Sequence, residues 1–208
     1  MLVTKVVPQK RDITKYNIYI DGEYVFALHP QDMEYFGIKE GKEVPQDTIS
    51  FIQKSLIYVQ AQDVALHFIG YKMRTEKEVR QKLEEKEFAE EVVEEVINFL
   101  CKYKYTDDRE YAKRYIKERL RLNPRSAYAL RMELLQRGIA EGICQEVLDE
   151  THVSELGDAV RWIERKARGQ WPPDEKKKKQ LYGFLQRKGY SYGVIKSAFQ
   201  EMDEQVEN

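Results

Sequence analysis

Two cysteines, three histidines and two tryptophans are all that the 208 residues hold of those types. Each scarcity excludes something. Cys101 and Cys144 stand alone and far apart, so no disulfide framework of a small secreted domain can be drawn. Cys144 lies on an apolar helical face and is expected in the core, as buried free cysteines usually are. His29, His67 and His152 are scattered, and no His/Cys/Asp cluster has the spacing of metal ligands. No stretch approaches the roughly 18 apolar residues of a membrane span, and the opening residues lack the apolar core of a signal peptide. The expectations are a reducing cytoplasm, no membrane, no metal and no cofactor.

Catalytic patterns are equally thin. Gly37-Ile38-Lys39-Glu40-Gly41-Lys42-Glu43 has a faint likeness to a phosphate loop. It is one residue short between the glycines and carries Glu where a Mg²⁺-binding hydroxyl belongs. Asp107-Asp108 with Glu110 reads as a helix start with acids in its first turn rather than as an acid–base pair. Trp162, Trp171 and the many tyrosines read as core or inter-helix packing before they read as a base-stacking platform. The chain is not read as an enzyme.

What is present is a repeat. Leu83-Glu84-Glu85-Lys86-Glu87-Phe88, Leu134-Leu135-Gln136-Arg137-Gly138-Ile139 and Leu185-Gln186-Arg187-Lys188-Gly189-Tyr190 share one pattern, and their leucines are evenly spaced by 51 residues. Gly138 fits C′ of a helix in the left-handed conformation, with Leu134 at C3 and Ile139 at C″, the two positions that touch in a Schellman end. Glu87 occupies the same place in the first copy, which must cap differently or carry the strain.

Helices flank each stop. Val92, Val93, Val96, Ile97 and Leu100 have helical spacing after the first, Ile143, Cys144, Val147 and Leu148 after the second, and Val194, Ile195, Ala198 and Phe199 after the third. Before the stops, Thr75-Glu76-Lys77-Glu78 is a capping box. Asn123-Pro124 offers an N-cap with Pro at N1, while Ser126, the match of Thr75, is the alternative cap. Pro172-Pro173-Asp174 starts the third. A helix further back repeats Ala61 at Ala112 and Ala159. Such periods mean supersecondary units stacked in an array.

The first 45 residues differ. Asn17-Ile18-Tyr19-Ile20 and Glu23-Tyr24-Val25-Phe26 flank Asp21-Gly22, a strong hairpin signal. Leu2 to Val7 offers a third strand, Gln31 to Phe36 a helical turn ending at Gly37, and Lys42-Glu43-Val44 a return to the sheet. This element is too short for its own core and is expected to dock on the helices or on a partner. The fold class is therefore mainly α: three tandem three-helix repeats forming an elongated curved array, with a small N-terminal β-hairpin element. The expected divisions are 1–45 for the β element, 46–103 for a linker helix and repeat 1, 104–151 for repeat 2 and 152–208 for repeat 3.

Charge is segregated although 35 bases nearly balance 36 acids. Residues 102–137 carry eleven bases against five acids, and residues 161–188 ten against three. The last helix of each repeat is acidic instead, with Glu84, Glu85, Glu87, Glu90, Glu91, Glu94 and Glu95 crowding the first. Equivalent helices on equivalent surfaces predict one basic wall and one acidic wall. A basic wall suits a phosphate backbone or an acidic protein groove, in binding that weakens as salt rises.

Tyr105-Thr106-Asp107-Asp108-Arg109-Glu110-Tyr111-Ala112, then Asn123-Pro124-Arg125-Ser126, then Leu134 to Ile139, resemble the signature of the RecX regulatory proteins. Arg74-Thr75-Glu76-Lys77-Glu78-Val79 through Leu83 resembles that family's element in the first unit, and the hairpin Tyr16 to Tyr24 its Gram-positive β extension. Thr106 stands where the family has Leu, Asn123 replaces Gly, and Glu87 replaces Gly. The resemblance implies a cytoplasmic, monomeric modulator of RecA without catalytic residues. It would bind the groove of the RecA–single-stranded DNA filament, with single-stranded DNA a further candidate partner, and usually inhibit strand exchange and ATP hydrolysis. From charge alone, Lys113, Arg114, Lys117, Arg119, Arg121 and Arg125 in the middle unit, and Lys176, Lys177, Lys178 and Lys179 in the third, are expected to face filament or DNA. Two other readings stay open: a sequence-preferring DNA-binding protein with helix-turn-helix-like units, and a peptide-gripping repeat scaffold.

Overall fold

The structure is a computed structural model that describes residues 1–10, 12–151 and 153–207. His152 lies outside the described residues. The chain divides into two compact units, Met1–Asp107 and Asp108–Asn208.

The first unit opens with an antiparallel sheet in the order β1 (Val3–Pro8), β2 (Tyr16–Ile20) and β3 (Glu23–Leu28). Asp21 and Gly22 both take positive φ, 51° and 95°, as a two-residue turn matched to strand twist requires. The residues past the short helix α1 (Pro30–Tyr35) return to β1. Val3 N–H donates to the Lys42 carbonyl at 2.9 Å, and Gly41 N–H donates to the Val3 carbonyl at 2.8 Å. The glycine-flanked stretch that resembles a phosphate loop is thus the edge partner of a strand.

Helix α2 (Gln46–Phe51) runs through a π-helical stretch, Ile52–Ile57, into α3 (Tyr58–Gly70). Helices α4 (Glu76–Glu85) and α5 (Glu90–Lys102) complete the first helical trio. Thr75 Oγ1 accepts the Glu78 N–H at 3.2 Å while Glu78 Oε2 accepts the Thr75 N–H at 3.2 Å, so the capping box closes in both directions. Ile18, Phe26, Leu28 and Ile38 from the sheet share one apolar core with Ile52, Ala61, Ala65, Val79, Leu83, Val96 and Leu100. The sheet's apolar face is covered by the chain's own helices.

The first stop keeps the Schellman geometry in spite of its glutamate. Phe88 N–H donates to the Leu83 carbonyl at 3.3 Å and Glu87 N–H to the Glu84 carbonyl at 2.8 Å. Glu87 has φ 60°. A Cβ in that conformation costs about 1–2 kcal/mol. Tyr24 from β3 donates its hydroxyl to the Glu87 carbonyl at 2.7 Å, tying the sheet to this strained turn. Burial, and then the charge of Glu87, pushes the Tyr24 phenol up to about 12. A fourth stop escaped the sequence reading: Lys104 takes φ 57° and Tyr105 N–H reaches the Leu100 carbonyl at 2.8 Å, ending α5 in the same way.

The second unit holds two helical trios, α6 (Asp108–Leu122), α7 (Ala127–Gln136) and α8 (Glu141–Thr151), then α9 (Glu155–Ala167), α10 (Glu175–Arg187) and α11 (Tyr192–Glu207). Ile139 N–H donates to the Leu134 carbonyl at 3.1 Å and Tyr190 N–H to the Leu185 carbonyl at 3.2 Å, with Gly138 and Gly189 at φ 88° and 92°. The three repeated leucines, 83, 134 and 185, are fully buried, as are Ala61, Ala112 and Ala159. Each trio of this unit has its own core, Ala112, Ile116, Leu130, Leu134, Cys144 and Val147 in one and Ala159, Ile163, Leu185, Tyr190, Ile195 and Ala198 in the other. Cys144 is buried, as expected, and its thiol is pushed up, chiefly by that burial.

Ser126, not Asn123, caps α7. Its Oγ accepts the Ala129 N–H at 3.1 Å. Asn123 is freed for another task, and it lies where the two trios of this unit meet.

Candidate cationic surface of the second and third repeats

Helix α6 spreads its bases over three faces. Arg109 and Lys113 point at α8. Arg109 pairs with Glu146 at 3.6 Å and with Glu150, and Lys113 pairs with Glu150 at 3.1 Å. The Arg109 hydrogen bond first, and then that of Lys113, holds the Glu150 carboxyl below the usual carboxylate range. The first and third helices of a trio pack side by side, so on this seam the expected basic and acidic walls meet and neutralise each other. Such exposed pairs contribute little to stability, because water screens them. Their consequence is that Lys113 already has an anion.

A second face carries Tyr111, Tyr115 and Arg119 toward α7. Glu133, with 18% of its side chain exposed, accepts from the Tyr115 hydroxyl at 2.5 Å and forms ion pairs with Arg119 at 3.3 Å and Arg125 at 2.8 Å. Arg137 lies 4.9 Å from the Tyr115 ring centre and donates to the Tyr111 hydroxyl at 3.0 Å. One carboxylate thus holds two guanidiniums in place.

The third face is outward. Arg114 bonds Glu110 at 2.7 Å, one turn back along the helix. Lys117 and Arg121 are exposed and have no ion-pair partner among the described residues. Lys176, Lys177, Lys178 and Lys179 follow Glu175 at the start of α10, behind the N-cap Asp174, whose carboxylate accepts the Lys177 N–H at 2.6 Å. They too have no ion-pair partner among the described residues. Lys176, Lys177 and Lys178 stand where the helix dipole favours acids, which Glu175 and Asp174 provide beside them. Of the ten bases singled out by sequence, four are paired inside the molecule. The other six, two on α6 and four on α10, have no ion-pair partner among the described residues.

Sequence reasoning missed a further set at the junction of the two trios. The Asn123–Ser126 turn rests on the end of α10. Ser126 N–H donates to the Lys188 carbonyl at 3.2 Å, the Lys188 ammonium bonds Asn123 Oδ1, and Trp162 Nε1 donates to the Pro124 carbonyl at 2.9 Å. Glu155 Oε1 accepts the Ala127 N–H at 2.6 Å, an acid at a helix N-terminus. Trp162 and Phe184 meet edge to face at 5.2 Å. Around them sit Lys188, 4.6 Å from the Trp162 ring centre, Arg165 at 4.9 Å from the same ring, and Lys166 at 5.0 Å from Phe184. Burial, and then the charges of Arg125, Lys166 and Arg119, holds the Lys188 ammonium below its ordinary range. Arg165, Lys166 and Lys188 lie far in sequence from Arg125. The sequence reading counted those three in the basic run 161–188 and singled out Arg125, but it assigned Trp162 to packing and the Lys188-Gly189 stop to helix capping, so nothing in it brought the four together.

Among the described residues, no group of three or more His, Cys, Asp and Glu is placed to hold a metal ion. Also among them, no helix is long and apolar enough to cross a membrane.

Comparison with known proteins identifies the architecture. Residues 1–45 match the family model of the regulatory protein RecX N-terminal domain. Residues 61–100, 107–148 and 155–199 match the first, second and third three-helix domains of RecX. The regulatory protein RecX of Clostridium acetobutylicum is 35% identical over 206 residues, covering 96% of this chain and 95% of the relative. That of Bacillus subtilis is 32% identical over 203 residues, covering 97% and 77%. A crystal structure of regulatory protein RecX superposes with a TM-score of 0.62 at 27% identity, over 94% of this chain and 98% of the other. The crystal structure of RecX from Lactobacillus salivarius gives 0.63 at 25% identity, over 71% and 97%.

Proposed function

Because the chain belongs to the RecX family of regulatory proteins, we propose that it binds the groove of the RecA–single-stranded DNA filament and inhibits RecA's recombinase and ATPase activities. The family modulates RecA and consists of regulators rather than enzymes. The setting for such a protein is the bacterial cytoplasm, where a monomer meets the filament without membrane or cofactor.

One observation supports contact through charge. Lys117, Arg121 and Lys176 to Lys179 have no anion of their own among the described residues, whereas Arg109, Lys113, Arg119 and Arg125 do. Cations left unpaired on two successive trios suit a polymer that repeats its negative charge. Many weak contacts along it add up through avidity.

The test is sedimentation with preformed filaments. Lys117→Glu together with Arg121→Glu is expected to weaken co-sedimentation by about tenfold or more, as two phosphate contacts turn into repulsions. Substituting Lys113 adds less, because Glu150 already neutralises it. Unchanged binding would overturn the cationic assignment. A gel shift of duplex DNA with sequence preference, independent of RecA, would favour the DNA-binding alternative. Attachment indifferent to salt would favour the peptide scaffold.

A further inference from the structure

The junction of the second and third trios gathers cations without enough anions to match them. Arg119 and Arg125 arrive from the end of α6 and the turn after it, Arg165 and Lys166 from the end of α9, and Lys188 from the end of α10. Glu133 is the acid that faces this group, and its two oxygens are already shared by Arg119, Arg125 and Tyr115. Glu155, a further acid at the junction, is bound to the N-terminus of α7, and Asp158 pairs with Arg161. Arg125 keeps a buried Nε–H with no acceptor. This differs from the α6–α8 seam, where every base that faces the acids has one.

The aromatic pair explains how like charges are held together. Trp162 presents its ring to Lys188 and Arg165, and Phe184 presents its own to Lys166 and Lys188, the latter at 5.4 Å. A cation over a ring face is attracted by the negative face of the ring's quadrupole. The rings face the charged ends of these side chains, Asn123 Oδ1 accepts one N–H of Lys188, and the exposed Arg165 and Lys166 have no ion-pair partner among the described residues. With their faces covered by cations, the rings are not free to stack on bases. What fits is a compact, multiply charged acceptor whose oxygens point in several directions. A tetrahedral phosphate meets donors from several helices at once, whereas a planar carboxylate meets one fork.

We propose that this junction is a phosphodiester clamp for single-stranded nucleic acid, in which Arg125 from the second trio and Arg165, Lys166 and Lys188 from the third bind one stretch of backbone without RecA. The clamp rests on the reading of the chain as a filament-binding protein and adds to it a strand-binding site outside the free bases of α6 and α10. Because the donors come from both sides of the joint, a bound backbone stiffens the two trios against each other.

The experiment uses the full chain, without RecA, and fluorescently labelled oligothymidylate read by anisotropy. Arg165→Ala with Lys166→Ala removes two exposed donors and leaves Lys188 with its Asn123 contact, so far-UV circular dichroism should be unchanged. Affinity should fall about tenfold or more, and the slope of log affinity against log salt should shrink by about 1, from roughly 0.7 per phosphate contact on a single strand. Arg109→Gln, on the neutralised seam, should change neither. In a Trp171→Phe background the emission of Trp162 should shift on binding and stay still in the double variant. Equal affinity of wild type and double variant would overturn the clamp. So would binding of inorganic polyphosphate with none of the oligonucleotide, or tighter binding of polyglutamate, which would make the partner an acidic protein surface. Adding RecA separates the two readings. A double variant that loses the oligonucleotide yet still slows RecA's ATP hydrolysis keeps both. A wild type that grips the oligonucleotide and leaves RecA untouched keeps the clamp and removes the filament reading.

Discussion

Gly189→Ala should destabilise the 108–208 unit by about 3 kcal/mol. Gly189 sits at φ 92°, where a Cβ alone costs about 1–2 kcal/mol. The space is closed as well. A Cβ built there would meet Ser126 Oγ at 2.4 Å and Ala129 Cβ at 2.7 Å. Those atoms cannot yield cheaply, since Ser126 caps α7 and its own N–H donates to the Lys188 carbonyl at 3.2 Å. Overpacking of this kind adds about 1–3 kcal/mol. Gly169→Ala is the control, because Gly169 has φ 76° but nothing within 4 Å of the added Cβ, and about 1 kcal/mol is expected. Urea unfolding of both variants measures the difference. Equal losses would mean that the junction is looser than the contacts require.

Leu134→Ala should cost about 3 kcal/mol, the ordinary loss for a fully buried leucine whose cavity does not collapse. Leu134 stands at C3 of α7, with Leu130 a turn before it and Ile139 beyond the stop, in the core that also holds Cys144 and Val147. It also accepts the Ile139 N–H that closes the helix end, so truncation loosens packing and turn together. Met132→Ala, two residues away and 39% exposed, should change stability by no more than about 1 kcal/mol. If the two substitutions proved equivalent in urea unfolding, the repeated leucine would not be a core position.

The repeat was legible because its determinants are local. A leucine, a residue in the left-handed conformation and an apolar residue after it write a helix end within six positions, and the same six recur at Leu83, Leu134 and Leu185. Thr75 and Glu78 wrote a helix start in the same way. The hairpin at Asp21-Gly22 needed only its turn and its alternating neighbours. Where two local solutions competed, sequence left the matter open: Asn123 and Ser126 are both good caps, and the choice was made by Lys188, 65 residues away from Asn123.

The candidate site was less legible for the same reason. Counting bases along α6 identifies a charged helix but not which of its faces meets α8. Lys113 and Lys117 are one turn apart, yet one finds Glu150 and the other finds solvent. Glu133 stands alone among bases in sequence and holds Arg119 and Arg125 in space. Trp162 reads as packing, and it does pack, but against Phe184 and under the Lys188 ammonium. Charge composition is a property of a segment, whereas a binding surface is a property of the pairs that tertiary contacts leave unmade.

The central claim is that this chain acts on RecA while RecA is polymerised on DNA. The most direct measurement is the rate of single-stranded-DNA-dependent ATP hydrolysis by RecA as this protein is titrated in, at several salt concentrations. A fall that begins at ratios well below one chain per RecA, and that weakens as salt rises, is the predicted result. A rate that stays flat through stoichiometric addition, with no chain sedimenting alongside the filaments, would contradict it.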